Sequence, residues 1–330
     1  MPQILVEGLA KTYRVAERDP GAWGAFKGLF ARRWRTIEAL KGVDFALERG
    51  ELLGFIGPNG AGKSTTIKIL SGILRPSAGR CEIDGLTPWR DRIKHVARIG
   101  VVFGQRTQLW WDLPVIEGFD LLRDIYRVPP ENYRRIRDEL VGLLRLERLL
   151  NQPVRQLSLG QRMRCEIAAA MLHEPRILFL DEPTIGLDAP SKLAVREFVQ
   201  TLNRQRGVTV ILTTHDMHDI EALAQRVIVI GNGTILADSP FEALRDGVLG
   251  ERRVFVDFAG DAPELLIRGV TVRSREGRSL ELAFDPKTIT APQLISTITA
   301  AHAVEDIHVE QVAIEEVIAR FYDLHGATEA

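Results

Sequence analysis

The stretch ELLGFIGPNGAGKSTTIKILSGIL, residues 51–74, decides the fold. Leu52, Leu53, Phe55 and Ile56 form the short apolar run of a buried strand, which stops at Gly57. From Lys63 onward Ile67, Leu70 and Leu74 recur at helical spacing, so the order is strand, loop, helix. In the loop, Gly57, Gly60 and Gly62 let the backbone turn its N–H groups inward around a phosphate, with Pro58, Asn59 and Ala61 completing the cradle. Lys63 supplies a compact positive charge for the terminal phosphates, and the hydroxyl of Ser64, followed by Thr65, suits magnesium. The spacing from Gly57 to Ser64 satisfies the P-loop pattern, so a nucleotide is the expected ligand.

Three segments further along carry the matching chemistry. In EPRILFLDEPTIGLD, residues 174–188, the apolar strand Ile177 to Leu180 ends in Asp181 and Glu182, which places two carboxylates at the carboxyl edge of a parallel sheet beside the phosphates. There Asp181 is expected to hold magnesium through water and Glu182 to polarise the attacking water. RQLSLGQRMRCEIAAAML, residues 155–172, puts Ser158 and Gly160 at the start of a helix, where a hydroxyl and free N–H groups suit an anion. TVILTTHDM, residues 209–217, leaves His215 at the end of another buried strand.

Composition bounds the rest. A chain of 330 residues fits one large domain and one smaller domain, and a net charge of -1 argues against a whole-molecule affinity for nucleic acid. Cys81 and Cys165 have no CxxC or histidine companion, so neither a disulfide framework nor a zinc site is expected. No apolar run of about 18 residues exists and the start lacks the form of a signal peptide, so the chain reads as cytoplasmic and not membrane spanning.

In this order the motifs resemble the ATP-binding subunit of an ABC transporter. The resemblance covers about residues 1–240 and rests on the P-loop at Gly57 to Thr65, a Q-loop at Gln105, the signature LSLGQ, the LFLDE strand, the D-loop GLD ending at Asp188, and the switch histidine His215. It implies an α/β P-loop NTPase of the ABC ATPase type: a mostly parallel core sheet, an antiparallel N-terminal β subdomain, and a helical subdomain at about 113–172. Tyr13 in KTYRV would stack on adenine, Gln105 would join Ser64 and Asp181 around Mg2+, and Lys63 would neutralise charge on the transferring group. His215 would hold the γ-phosphate and water in register. Ser158, Gly160, Gln161 and Asp188 would meet ATP across a head-to-tail dimer with a second copy or a paralogous ATPase subunit, the signature acting in trans. Two transmembrane permease subunits on separate chains and a place at the cytoplasmic face of the membrane are likewise implied, with export as the direction of transport. The stretch after Gln105 resembles a bacterial group linked to toxic organic cations. A soluble ABC-class ATPase without a membrane partner is the rival reading, opposed by a gap from Lys63 to Ser158 that holds no sustained heptads.

Two departures from the family pattern stand out. Leu159 replaces a signature glycine, with its side chain expected to point away from the phosphate. In IGVVFGQRTQLWWDLPV, residues 99–115, the interval before Gln105 has one extra residue, so Gln105 is retained with Gln108 as the reserve. Trp110 and Trp111 are either core or the contact for a permease helix. The helical subdomain breaks at Pro129 and Pro130, and its arginines, among them Arg123, Arg127, Arg134, Arg135 and Arg137, read as a solvated face.

Beyond residue 240 the composition shifts. RRVFVDFA and VTVRSREGRSLELAFD alternate as strands do, with a turn at Gly277, and are followed by a helix, a strand and a closing helix. Residues 241–330 thus form a small C-terminal α+β domain, in which His302, His308 and His325 are structural or exposed. Finally, GAWGAFKGLFARRWRTIEAL, residues 21–40, belongs to an insertion at about 16–36. There Trp23, Phe26, Leu29 or Phe30, and Trp34 would line a helix beside Lys27, Arg32, Arg33 and Arg35, and either dock on a membrane partner or its lipid boundary or form a lid on the chain's own sheet.

Overall fold

The computed structural model describes residues 2–17, 33–104, 106–244, 252–310 and 314–324. Contacts divide the chain into two compact units, Met1–Pro240 and Phe241–Thr328. In the first, β1 (Ile4–Glu17) pairs antiparallel with β2 (Arg33–Leu47), and the chain continues through β3 (Leu52–Ile56) and α1 (Lys63–Leu70) to β4 (Ala78–Ile83). β4 returns to β1, giving an antiparallel sheet in the order β2-β1-β4.

A second sheet adds α2 (Arg92–Val96), β5 (Ile99–Phe103), β6 (Ile177–Asp181), β7 (Thr209–Thr213), β8 (Arg226–Gly231) and β9 (Thr234–Pro240). Its order is β5-β6-β7-β3-β8-β9, parallel throughout except for β9. Strands β3, β6 and β7 are buried at every position, which is why they read as unbroken apolar runs rather than alternating ones. One core joins both sheets: Ile4, Leu9 and Leu40 from the first meet Phe55, Phe179 and Ile228 from the second, with Ile67 and Leu70 of α1 among them. The P-loop helix is thereby held by apolar burial on its inner face.

Between β5 and β6 lie α3 (Val115–Tyr126), α4 (Pro130–Leu144) and α5 (Leu159–Met171), and α6 (Ala189–Arg206) and α7 (Met217–Leu223) follow later. Pro129 caps α4 and Pro130 opens it, as their fixed φ allows, while α3 ends at Arg127 in the left-handed conformation. Arg123 and Arg137 do not simply face solvent: their guanidinium groups lie 5.4 and 5.5 Å from the ring centre of buried Tyr133.

The expected aromatic helix ends differently from its reading. Arg33, Trp34 and Arg35 belong to β2, where Trp34 lies opposite Ala16 and is 55% exposed. Cross-strand pairing with β1 outweighs the helical spacing there. Trp23, Phe26, Lys27, Leu29, Phe30 and Arg32 lie outside the described residues.

The second unit is an antiparallel sheet ordered β11-β12-β10-β13, from β10 (Arg252–Phe258), β11 (Val270–Glu276), β12 (Ser279–Phe284) and β13 (Val304–Glu310). Gly277, at φ 59°, makes the turn between β11 and β12. Leu294 and Ile298 of α8 (Ala291–Ala301) pack on Val254, Val256, Leu280 and Leu282, and α9 (Ile314–Leu324) is tied to β10 by Arg253 Nη2, which donates to both Glu316 carboxylate oxygens at 2.7 Å. His308 stacks on Phe255 and His302 meets the edge of Phe258, whereas His325 lies outside the described residues.

Candidate functional site

Parallel neighbours bring four chain segments to one edge. In register, Phe103 of β5 faces Asp181 of β6, Asp181 faces Thr213 of β7, and Thr213 faces Phe55 of β3. The residues just beyond, Gly104, Glu182, Thr214 and His215, and Gly57, therefore emerge side by side at the carboxyl edge. A cleft of about 380 Å³ opens there, lined by Asn59, Ser64, Gly104, Arg106, Asp181 and Glu182 among others.

The P-loop owes its path to its glycines. A Cβ at Gly57 would lie 2.5 Å from the carbonyl oxygen of Ile230, and Gly62, at φ 115°, presses against Leu40 and the carbonyl of Ala39. Between them Pro58, Asn59, Gly60 and Ala61 make a turn closed by a 3.2 Å bond from the Ala61 N–H to the Pro58 carbonyl. No side chain caps α1 and no acid sits in its first turn, so its leading N–H groups are left to an anion. Lys63 is buried and donates to the carbonyls of Gly57 at 2.6 Å and Pro58 at 3.1 Å. Thr65 is half-buried in the first turn. Tyr13 sits on β1 opposite Ile37, two residues along β2 from the Ala39 carbonyl that touches Gly62, with Lys11 Nζ 5.3 Å from its ring centre.

The Ser64 hydroxyl donates to Asp181 Oδ1 at 3.2 Å. A hydroxyl and a carboxylate side by side are the hard oxygen donors magnesium takes, so this pair fits the ion, Ser64 directly and Asp181 through water as the sequence leads one to expect. Thr213, missed in the sequence, donates from Oγ1 to Asp181 Oδ1 at 2.6 Å and accepts the Glu182 N–H at 3.2 Å. Its signal was a hydroxyl closing the apolar run Val210 to Leu212 just before His215. Glu182 adopts φ 54°, unusual for a residue with a Cβ, and its Oε1 lies 3.7 Å from His215 Nδ1.

Gln105 lies outside the described residues, but the fate of its reserve is plain. Gln108 donates from its backbone to Glu166 Oε2 at 3.1 Å and from its side chain to the Glu166 carbonyl at 3.0 Å, which commits it to α5 rather than to the cleft. Glu166 also accepts from the Thr107 hydroxyl and from Leu109 N–H at 3.4 Å, and burial pushes its carboxyl above the usual range. Leu109 is core, while Trp110 and Trp111 are 41% and 49% exposed, with Arg162 of α5 5.7 Å from the Trp111 ring centre.

At the start of α5, Ser158 Oγ accepts the Gln161 N–H at 3.2 Å and the Gln161 side chain accepts the Ser158 N–H at 2.9 Å, a capping box. The Ser158 proton remains free to be donated, but Gln161 is engaged with its own helix. A Cβ on Gly160 would overlap Ser191 of α6 and lie 3.5 Å from Asp188 Oδ1, so only glycine fits. Leu159 turns onto the D-loop, its Cδ2 3.0 Å from where Gly186 would carry a Cβ. Beneath the D-loop, buried Asp219 accepts from Thr184, from Thr214 at 3.3 Å and from Arg196 at 2.6 Å. Cys81 and Cys165 are free and buried, and burial pushes both thiols up to about 12.

Known proteins resemble this chain. The ABC transporter family description matches residues 40–185. The daunorubicin resistance ATP-binding protein DrrA3 of Streptomyces coeruleorubidus is 36% identical over 67% of this chain and 69% of its own length. A methionine import ATP-binding protein of Enterococcus faecalis is 31% identical over 84% of this chain and 82% of its own length. Among solved structures, the ATP-binding cassette MJ0796, a dimer in a post-hydrolysis state with ADP and Pi, superposes with a TM-score of 0.60 at 29% identity, covering 72% of this chain and 98% of that one. With a phosphate loop, paired carboxylates and a histidine meeting at one sheet edge, the chain belongs to the ABC transporter family and carries its ATP-hydrolysing domain.

Proposed function

We propose that this chain works as one half of a head-to-tail dimer that drives an exporter, coupled to two permease subunits on separate chains at the cytoplasmic face of the membrane. The observation that carries the dimer is the division of the site. The sheet edge gathers Ser64, Asp181 and Glu182 in one cleft, with Lys63 on the Gly57 carbonyl and His215 3.7 Å from Glu182, whereas Ser158 stands exposed at a helix start with no acid in its first turn, packed on its own D-loop. An exposed helix N-terminus is an anion site in want of a phosphate, and a second copy supplies one.

In the assembled site, Ser64, Asp181 and Gln105 would hold magnesium, which would withdraw charge from the nucleotide phosphates. Lys63 exchanges its carbonyl partners for the terminal phosphates, Glu182 orients the attacking water, and His215 keeps that water and the γ-phosphate aligned. Among the described residues no helix is long and apolar enough to cross a membrane, and this reading assigns the spans to the two permease subunits. The resistance protein among the relatives supports export, and the importer relative makes direction a matter for measurement.

The test combines chemistry and transport. Glu182→Gln is expected to bind ATP and elute as a dimer, with turnover reduced on the order of 100-fold. Mixing Ser158→Ala with a Lys63→Ala chain should leave at most one working composite site; full activity of an isolated monomer would refute the trans arrangement. With the permease subunits in inverted vesicles, ATP-dependent uptake of an organic cation is expected, and ATP-dependent release of a preloaded cation from the same vesicles would reverse the direction.

A further inference from the structure

The residue expected to orient water is held by its backbone in an unfavourable conformation. Glu182 follows the last residue of β6 at φ 54°, a left-handed setting that a side chain with a Cβ occupies only where its surroundings enforce it. The enforcement comes from the two strands that flank β6. On the β7 side, the Glu182 N–H reaches the Thr213 carbonyl at 2.9 Å and the Thr213 hydroxyl at 3.2 Å. That hydroxyl, fully buried, gives its proton to Asp181 Oδ1 at 2.6 Å, so a single oxygen fixes both the carboxylate expected at magnesium and the peptide leading to the base.

On the β5 side, Gly104 donates its N–H to the Asp181 carbonyl at 2.8 Å. A Cβ at Gly104 would overlap the Glu182 carbonyl oxygen and stand 2.9 Å from its carbonyl carbon and 3.2 Å from the Asp181 carbonyl oxygen. The φ of Gly104 is outside the left-handed region, so alanine is barred there by the backbone of Glu182 and by nothing in its own conformation. Gly104 directly precedes Gln105 and falls in the interval that is one residue longer than the family pattern. Only a residue without a side chain lets the strand leading to Gln105 pass this close.

We propose that Thr213 and Gly104 are positioning residues that together hold Glu182 in its left-handed conformation, so that the path of the chain entering the Q-loop sets the placement of the water-orienting carboxylate through backbone contact. This rests on Glu182 being the residue that orients water. Thr213 acts through hydrogen bonds that a methyl group cannot make. Gly104 acts by absence, since any Cβ pushes the Glu182 carbonyl aside.

The experiment measures ATP hydrolysis at saturating ATP, ATP affinity and melting temperature for the full chain with Thr213→Val, Thr213→Ser, Gly104→Ala and Glu182→Gln. A carboxylate displaced by about 1 Å loses on the order of 10- to 100-fold in rate. The expected result is a kcat lowered by about that range in Thr213→Val and Gly104→Ala, ATP affinity within about threefold of wild type, and Thr213→Ser restored to within about twofold. If Glu182→Gln turns over at the wild-type rate, both the role of Glu182 and this inference fall. If Glu182→Gln is inactive while Thr213→Val and Gly104→Ala keep wild-type kcat, the inference alone is overturned. Lower melting temperature with unchanged kcat also overturns it, because that is the signature of a purely structural role, and loss in only one of the two variants rules out holding from both sides.

Discussion

Replacing Glu166 by alanine tests whether the signature helix and the segment after Gln105 form one mechanical piece. The Glu166 carboxylate, 3% exposed, receives the Thr107 hydroxyl and the N–H groups of Gln108 and Leu109. The Leu109 N–H has a second acceptor in Thr107 Oγ1 at 3.1 Å, and the Thr107 hydroxyl can turn to the Leu109 carbonyl at 3.2 Å. Only the Gln108 N–H is then left without an acceptor, at about 1–3 kcal/mol, and relief from burying a carboxylate offsets part of the cavity left behind. The net expectation is about 2 kcal/mol, or a melting temperature lower by roughly 4–8 °C at the scale of a 150–250-residue unit. Glutamine keeps one carbonyl oxygen for Gln108, and its amide can donate to Thr107 Oγ1, so Glu166→Gln should lie within about 1 kcal/mol of wild type. Differential scanning calorimetry on the three proteins, with ATP turnover on the same samples, decides the matter. Glu166→Ala melting within about 1 °C of wild type, or Glu166→Gln falling as far as Glu166→Ala, refutes the reasoning.

Three further outcomes are expected. His173 is stacked on Tyr126, bonded to the Ile99 carbonyl at 2.9 Å, and held by burial at a pKa of about 4 against an ordinary 6.5. The unfolded chain therefore binds the extra proton between those values, and stability should fall by about 2 kcal/mol from pH 7 to pH 5 on its account. Buried His95, lowered first by desolvation, acts in the same direction, so the check is that His173→Gln flattens the pH dependence of urea unfolding without abolishing it. Serine at Trp110 and Trp111 should leave ATP binding intact, because both residues are half exposed and neither lines the cleft, yet weaken recovery with membranes that contain the permease subunits, measured by flotation. A chain ending at Asp246 should fold and bind ATP, as both sheets of the first unit are complete by Pro240; loss of nucleotide binding in a well-folded truncation would place the boundary elsewhere.

What the sequence determined by itself is the part written in local spacing. Glycines at fixed offsets around Lys63, an apolar run closed by Asp181 and Glu182, the proline break at Pro129 and Pro130, and the turn at Gly277 are each decided within a few residues by backbone freedom or hydrophobic period. The tertiary structure decided what depends on registration between segments far apart in the chain. Thr213 meets Asp181 because β6 and β7 are in register, and Gly104 is indispensable because β5 delivers it against the carbonyl of Glu182. Gln108 could not be separated from Gln105 by spacing, since what removes it from the cleft is a residue more than fifty positions later, Glu166, whose carbonyl takes its side chain and whose carboxylate takes its N–H. Trp34 kept a helical period in the sequence and became a strand residue, because a long antiparallel partner satisfies its backbone in a way that an isolated turn of helix in water cannot. Local chemistry names the groups that a nucleotide needs; only packing across the sheet sets where the carboxylates that act on it will stand.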